Sequence, residues 1–200
     1  MKLPVIEIKY KWWVAAISYV SFVLLYTLTG NVHLQTPVVL SPSTIDRRIP
    51  FIDWTVWIYH SQFLLLALNI ALLKSRENLS RVFYALNFAS LLSFFIFFIY
   101  PTTIPRLPLN DVGLTREALA MLYAIDAPTN CFPSLHISLA WLSAAGVWRE
   151  NHQFGAAIIL WTLFISLSTL TTKQHFFIDV AGGLVIALAC HFLIGKIKFV

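Results

Sequence analysis

At 200 residues, 58% hydrophobic and only 12% charged, the chain is too apolar for a soluble domain, where about a quarter of residues carry charge. Its apolar residues fall in blocks long enough to cross a bilayer, at about 20 residues per helix, and no stretch remains for a separate soluble domain. The formal charge of +5 therefore does not point to nucleic acid; it is the positive charge that flanks membrane helices.

Residues 1–11 form a short basic lead, with Lys2, Lys9 and Lys11, expected at the membrane interface. Six spans are predicted, over 12–30, 51–73, 79–100, 134–148, 155–172 and 176–194. The first is too long for a cleavable signal and has no small-residue cleavage pattern after it. The third, ending Phe94-Phe95-Ile96-Phe97-Phe98-Ile99-Tyr100, is the clearest, and the fourth is the shortest. The longest loop, 101–132, holds Pro101, Pro105, Pro108 and Pro128, which exclude one continuous helix. Cys131 falls in that loop and Cys190 inside a span, which argues against a disulfide. The predicted fold is all-α, one six-helix membrane domain over residues 1–200.

Charge asymmetry sets the expected orientation. Lys2, Lys9, Lys11, Lys74, Arg76, Arg81, Arg149, Lys196 and Lys198 fall on one side, nine in all, against five on the other: Arg47, Arg48, Arg106, Arg116 and Lys173. The positive-inside rule then places both termini in the cytoplasm. Span parity gathers the loops around Arg106, His136 and His175 on the outer face.

Three clusters meet there. In His175-Phe176-Phe177-Ile178-Asp179 a histidine and an aspartate stand four residues apart at the mouth of an apolar segment. Residues at i and i+4 share a helix face, so Asp179 is placed to hydrogen-bond one nitrogen of His175. That bond fixes the tautomer and leaves the other nitrogen to attack or to hold a proton. A carboxylate at the edge of a bilayer is costly, which makes it a functional candidate; the alternative is a structural pair closing a helix end. Lys173 and Thr172 lie close enough in sequence to bind a phosphate. The second cluster is Asn130-Cys131-Phe132-Pro133-Ser134-Leu135-His136. Pro133 suits a first helical turn, and the unpaired N–H groups there make an anion site. Ser134 adds a hydroxyl, and His136 is placed to present a proton to a leaving oxygen. Read alone, these residues are more readily a helix cap followed by a histidine facing a headgroup. In the third cluster, Tyr100-Pro101-Thr102-Thr103-Ile104-Pro105-Arg106, the guanidinium can fork onto a phosphate or anchor a helix to headgroups.

Pro-Ser-x-His at 133–136, followed by Ser-x6-His-x3-Asp at 168–179, resembles the type 2 phosphatidic acid phosphatase superfamily. The resemblance covers the second half of the chain, and the six-span plan fits it throughout. It implies His175 as a nucleophile forming a phosphohistidine, Asp179 as its orienter and His136 as proton donor to the leaving alcohol. Ser134 and Arg106 would hold phosphate oxygens. The chain departs from the family pattern in several places. The first-motif lysine falls at Ile99, Arg106 is followed by Leu107-Pro108, Leu135 replaces a glycine, and the third-motif arginine falls at Thr169. Lys173 is expected to supply one of the missing charges from a new position. The 100–106 pattern, Phe-Pro-Ser-Leu-His at 132–136 and the entry Asp46-Arg47-Arg48-Ile49-Pro50-Phe51 are closer to the branch with inositol phosphorylceramide synthases. Some members of that branch transfer a phospho-headgroup to a lipid alcohol.

The expected activity is hydrolysis of a lipid phosphate ester or anhydride at the outer face of a bacterial inner membrane. The partners are the lipid phosphate and bilayer lipids, with no cofactor and no metal; two histidines and an aspartate without a Cys or Glu partner make a poor metal site. Transfer to a lipid alcohol is the alternative, and a non-catalytic lipid-binding protein, motivated by the missing basic ligands, is the third. Asp53 and His60, on one face of the second span, are read as structural, and Trp12, Trp13, Trp54 and Trp57 as interfacial anchors.

Overall fold

The computed structural model describes residues 2–109, 112–126 and 128–200. The helices are α1 (Lys11–Asn31), α2 (Thr44–Arg48), α3 (Val56–His60), α4 (Gln62–Leu72), α5 (Arg76–Ile99), α6 (Leu114–Ile125), α7 (Leu135–Glu150), α8 (His152–Thr171) and α9 (Phe177–Gly195). Among the described residues, strands are confined to two short parallel pairs. β1 (Lys2–Leu3) pairs with β4 (Lys198–Phe199), and β2 (Val38–Val39) with β3 (Thr102–Thr103).

Among the described residues, five segments are long and apolar enough to cross a membrane: Ile8–Asn31, Asp53–Leu72, Arg76–Ile99, His152–Thr171 and Phe177–Gly195. The remaining expected span, 134–148, is α7, with 16 residues. At about 1.5 Å per residue that is about 24 Å, short of the roughly 30 Å hydrocarbon core. Its environment accounts for its weaker apolar signal. α7 packs against α4, α5, α8 and α9, so it faces protein on most sides. Ser138, Ala140, Ser143, Ala144 and Gly146 are buried along it, and small residues let membrane helices approach closely.

α1 is the opposite case. Only Thr29 is buried, and the helix leans on the core of Phe94, Phe97, Leu135 and Leu139 through Phe22, Leu25 and Tyr26. Trp13, Ile17 and Leu24 face outward, which suits a helix bathed in lipid. The second span is not one continuous helix. A tight turn at Asp53–Thr55 leads into α3, and α3 meets α4 at Ser61. Ser61 Oγ donates to Ile58 O at 2.6 Å and accepts the Trp161 indole N–H at 2.8 Å, so the joint leaves that hydroxyl satisfied.

The long loop contains a helix after all. Its prolines bar helix only where they stand, and α6 occupies the proline-free stretch between Pro108 and Pro128. α6 seats Ala118, Leu119 and Leu122 on Val56 and Tyr59, while Leu114, Met121 and Ile125 point away.

The two strand pairs mark the two ends of the bundle. β1 and β4 bring residues 2–3 beside 198–199. At the other end, β2 pairs with β3, and Thr102 also bridges to Asn130. The end of α8 bonds the entry to α3 there, with Ile52 N–H donating to Thr171 O at 2.9 Å.

Candidate active site

The chain reverses between α8 and α9, and that reversal delivers His175. The Thr169 carbonyl accepts the N–H groups of both Gln174 and His175 at 3.1 Å, and Lys173 takes up φ 57°. His175 thus stands just ahead of α9 rather than within it. Its closeness to Asp179 comes from helix-entry geometry, not from a shared helical face. Asp179 is the third residue of α9, and its Oδ2 accepts the Phe176 N–H at 2.8 Å, satisfying a donor that the helix start leaves open. The same oxygen lies 3.5 Å from His175 Nδ1. Both side chains are buried, and Asp179 Oδ1 meets no partner among the described residues. His175 Nδ1 likewise makes no hydrogen bond among the described residues, so the two side chains are close neighbours without a bond between them.

The second cluster docks directly on this turn. Ser134 N–H donates to Asp179 O at 3.0 Å. Pro133 precedes the cap instead of occupying the first turn, because Ser134 is the N-cap of α7; the Phe132–Pro133 bond is cis. Ser134 Oγ does not cap the helix, and it is buried without a partner among the described residues. His136 lies in the first turn of α7, its ring centroid 5.9 Å from that of His175. His136 Nδ1 is 3.2 Å from the Tyr59 hydroxyl.

Arg106 arrives from the strand side. Its guanidinium donates to the carbonyls of Tyr123 and Asp126 at the end of α6 and sits 4.7 Å over the Tyr123 ring. Arg106, Lys173 and His175 line one pocket, together with Asp126, Asn130 and Gln174. Lys173 has a second attachment. Its Nζ donates to Asp46 O at 2.9 Å and Ile49 O at 2.6 Å, closing the C-terminal end of α2. Burial draws the Lys173 ammonium below its ordinary value, against the opposing pull of Asp46.

Asp46 answers from the other direction: its Oδ1 accepts the Phe177 N–H at 2.7 Å, and its Oδ2 accepts Ser43 N–H and Oγ–H. α2 and the start of α9 are therefore clipped together on both sides of His175. Thr169, where the family pattern has arginine, spends its hydroxyl on Ser166 O and acts through its carbonyl. Thr172 likewise donates to Ser168 O at 2.6 Å. Ile99 lies exposed at the end of α5.

Four residues at this end make contacts to which the sequence assigns no role. Asp46 stabilises the entry to α9. Thr102 holds the second cluster, accepting Phe132 N–H on its Oγ1 at 2.8 Å and Cys131 N–H on its carbonyl at 3.3 Å. Tyr59 faces His136, and Asp126 meets the Tyr59 hydroxyl with Oδ2 at 3.3 Å. The one signal for Asp126 was a carboxylate closing an otherwise apolar run in the long loop; Tyr59 looked like any aromatic in a span.

The residues set aside serve local structure. Asp53 accepts Trp54 N–H at 2.7 Å, and His60 Nε2 lies 3.3 Å from Ala118 O. The four anchoring tryptophans are exposed. Both cysteines are free and lie in separate clusters. Burial pushes the Cys131 thiol up, with Asp179 and Asp126 adding to the shift, which leaves it a packing residue beside the pocket. Among the described residues, no group of three His, Cys, Asp or Glu side chains is placed to hold a metal ion.

No curated protein matches the chain. The family model described as the PAP2 superfamily matches residues 23–193. That span runs from the middle of α1 almost to the end of α9 and takes in the histidine pair, Asp179 and the pocket. The chain belongs to the PAP2 superfamily.

Proposed function

We propose that this membrane lipid-phosphate enzyme is a hydrolase that works through a phosphohistidine on His175. The observation that carries the reading is the meeting of two histidines at one end of the bundle. His175 is backed by Asp179 at 3.5 Å and faces His136 at a ring separation of 5.9 Å. Reacting atoms need to approach to about 3–3.5 Å, and the pocket that His175 lines with Arg106 and Lys173 is where the phosphoryl group would be held.

In the first step the His175 Nε2 lone pair attacks phosphorus. The bond from phosphorus to the lipid oxygen breaks, and protonated His136 delivers its proton to that oxygen. In the second step water attacks phosphorus, gives a proton to His136, and the P–N bond breaks to return His175. Asp179 holds the His175 tautomer and stabilises the positive ring in both steps. Arg106, Lys173 and the Ser134 hydroxyl supply donors for the charge that grows on the transferring group.

Transfer to a lipid alcohol is the second reading, favoured by the 100–106 pattern that resembles the phosphorylceramide synthase branch. The two readings differ only in what attacks the phosphohistidine. Pure protein is incubated with a panel of lipid phosphates, with and without candidate alcohols. Free phosphate from the wild type and none from His175→Ala is the expected result. A new headgroup on a lipid would replace hydrolysis with transfer, and equal turnover by His175→Ala would remove the phosphohistidine. A wild type that turns over no lipid phosphate would leave lipid binding without catalysis.

The same reading takes α7 as a sixth, short crossing. It also takes the ends of the chain as cytoplasmic and the pocket as facing the exterior or periplasm of a bacterial inner membrane. The excess of basic residues at the β1–β4 end supports that orientation. Val112 is 93% exposed, so a cysteine there is open to an impermeant thiol reagent while Cys131 is buried. Labelling of intact cells is expected; labelling only after lysis would reverse the orientation.

A further inference from the structure

We propose that Asp126 and Tyr59 form a positioning relay that sets which nitrogen of His136 carries the proton. The inference rests on the reading of His136 as proton donor and goes beyond it by naming what orients that ring.

The geometry is a chain of three groups from three elements. Asp126 sits just past α6, and its carboxylate accepts the Tyr26 hydroxyl on Oδ1 and faces the Tyr59 hydroxyl with Oδ2 at 3.3 Å. Tyr59, fully buried on α3, lies with its hydroxyl oxygen 3.2 Å from His136 Nδ1. The two rings pack against each other at 4.2 Å between centroids, tilted by 36°, which restrains the imidazole.

Donor and acceptor counting then fixes the protons. An ionised carboxylate only accepts, and a phenol has one proton to give. Tyr59 spends its proton on Asp126, so its oxygen can serve His136 only as acceptor. His136 Nδ1 must therefore carry hydrogen, and Nε2 is bare in the neutral ring and protonated in the charged one. The arrangement parallels Asp179 and His175, with a phenol inserted between carboxylate and imidazole. The buried chain also makes the tautomer a consequence of packing, because α6 must dock on α3 for Asp126 to reach Tyr59.

The test reads the tautomer directly. The full chain, labelled with ¹⁵N-histidine in lipid nanodiscs, is examined by nitrogen NMR at a pH where His136 is neutral, and its signals are assigned by difference from His136→Gln. The wild type is expected to show protonated Nδ1 and bare Nε2. Tyr59→Phe should yield a mixture of tautomers. Asp126→Ala frees the Tyr59 proton to point at His136 and should switch the ring to the Nε2–H form. An Nε2–H ring in the wild type, or a ring indifferent to both substitutions, would overturn the relay.

Turnover of dioctanoyl phosphatidic acid is followed in parallel. Tyr59→Phe should lower kcat about tenfold with KM within about twofold, part of the 10²–10⁴-fold that a placed acid contributes. A loss expressed only in KM would also count against the relay. A wild type inactive on every lipid phosphate, with the tautomer still responding as described, would remove the hydrolase reading and leave the relay standing.

Discussion

The backbone N–H of Ser134 donates to the carbonyl of Asp179 at 3.0 Å, joining the start of α7 to the first turn of α9. This bond fixes the height of His136 against His175, because each histidine lies within a few residues of one of its ends. The approach is close enough that α9 has no room for a side chain at Gly183. A Cβ there would lie 2.5 Å from Ser134 O and 2.8 Å from Ile137 Cβ.

Gly183→Ala should therefore force α7 and α9 apart. Overpacking of this kind costs about 1–3 kcal/mol, and a shift of about 1 Å at the histidines should lower turnover about 10²-fold. Gly195→Ala is the matched control, since a Cβ there meets nothing within 4 Å. Unfolding temperature in detergent and turnover rate decide the matter; equal behaviour of the two variants would contradict the close approach.

Asp179→Asn separates charge from shape. The amide oxygen can still accept the Phe176 N–H that Oδ2 now receives, so the unfolding temperature should change little. The positive ring of His175 loses its carboxylate, and turnover should fall about 10²–10⁴-fold. A variant that unfolds early yet keeps its specific activity would make the pair a helix cap alone.

Lys173→Met tests a residue with two attachments. Loss of the bonds to Asp46 O and Ile49 O, at 2.9 and 2.6 Å, should destabilise the fold by about 1–3 kcal/mol. Loss of a charge on the pocket wall should raise KM for a lipid phosphate. A changed KM with unchanged stability would mean that the clip to α2 is dispensable.

Asp46 makes the clip sensitive to acid. Burial alone would raise its carboxyl, but hydrogen bonds from Ser43 and from the Phe177 N–H, with the charge of Lys173, hold it below its ordinary value. A carboxyl lowered by folding contributes stability that is present above its unfolded value and lost as pH falls through the folded one. Unfolding temperature of the wild type should therefore drop more steeply below about pH 4 than that of Asp46→Asn. Parallel curves would show that Asp46 does not titrate with unfolding.

Much of the site was legible because the chemistry and the helix entries coincide in sequence. His175, Asp179, Ser134 and His136 stand at the starts of apolar blocks, where a polar residue is conspicuous. Asp46, Thr102, Tyr59 and Asp126 were not, because each acts on a partner at least 30 residues away. Nothing local in the chain announces such a contact. Prolines on both sides hide α6 in the sequence, and α7 stands out there only as the shortest span, because its packing against four helices at the bundle's centre leaves no local mark.

By itself the sequence determined that the protein is helical and apolar enough for a membrane, and it singled out His136 and His175, which meet at one end. Those properties follow from hydrophobic runs and their spacing, which are local. Tertiary structure alone brought Asp179 Oδ2 to 3.5 Å from His175 Nδ1 and the Tyr59 hydroxyl to 3.2 Å from His136 Nδ1. It turned Lys173 toward α2 while keeping it on the pocket wall, and it set Tyr59 and Asp126 behind His136. Those outcomes depend on distances of about 3 Å between separate helices, and only the packed bundle sets them.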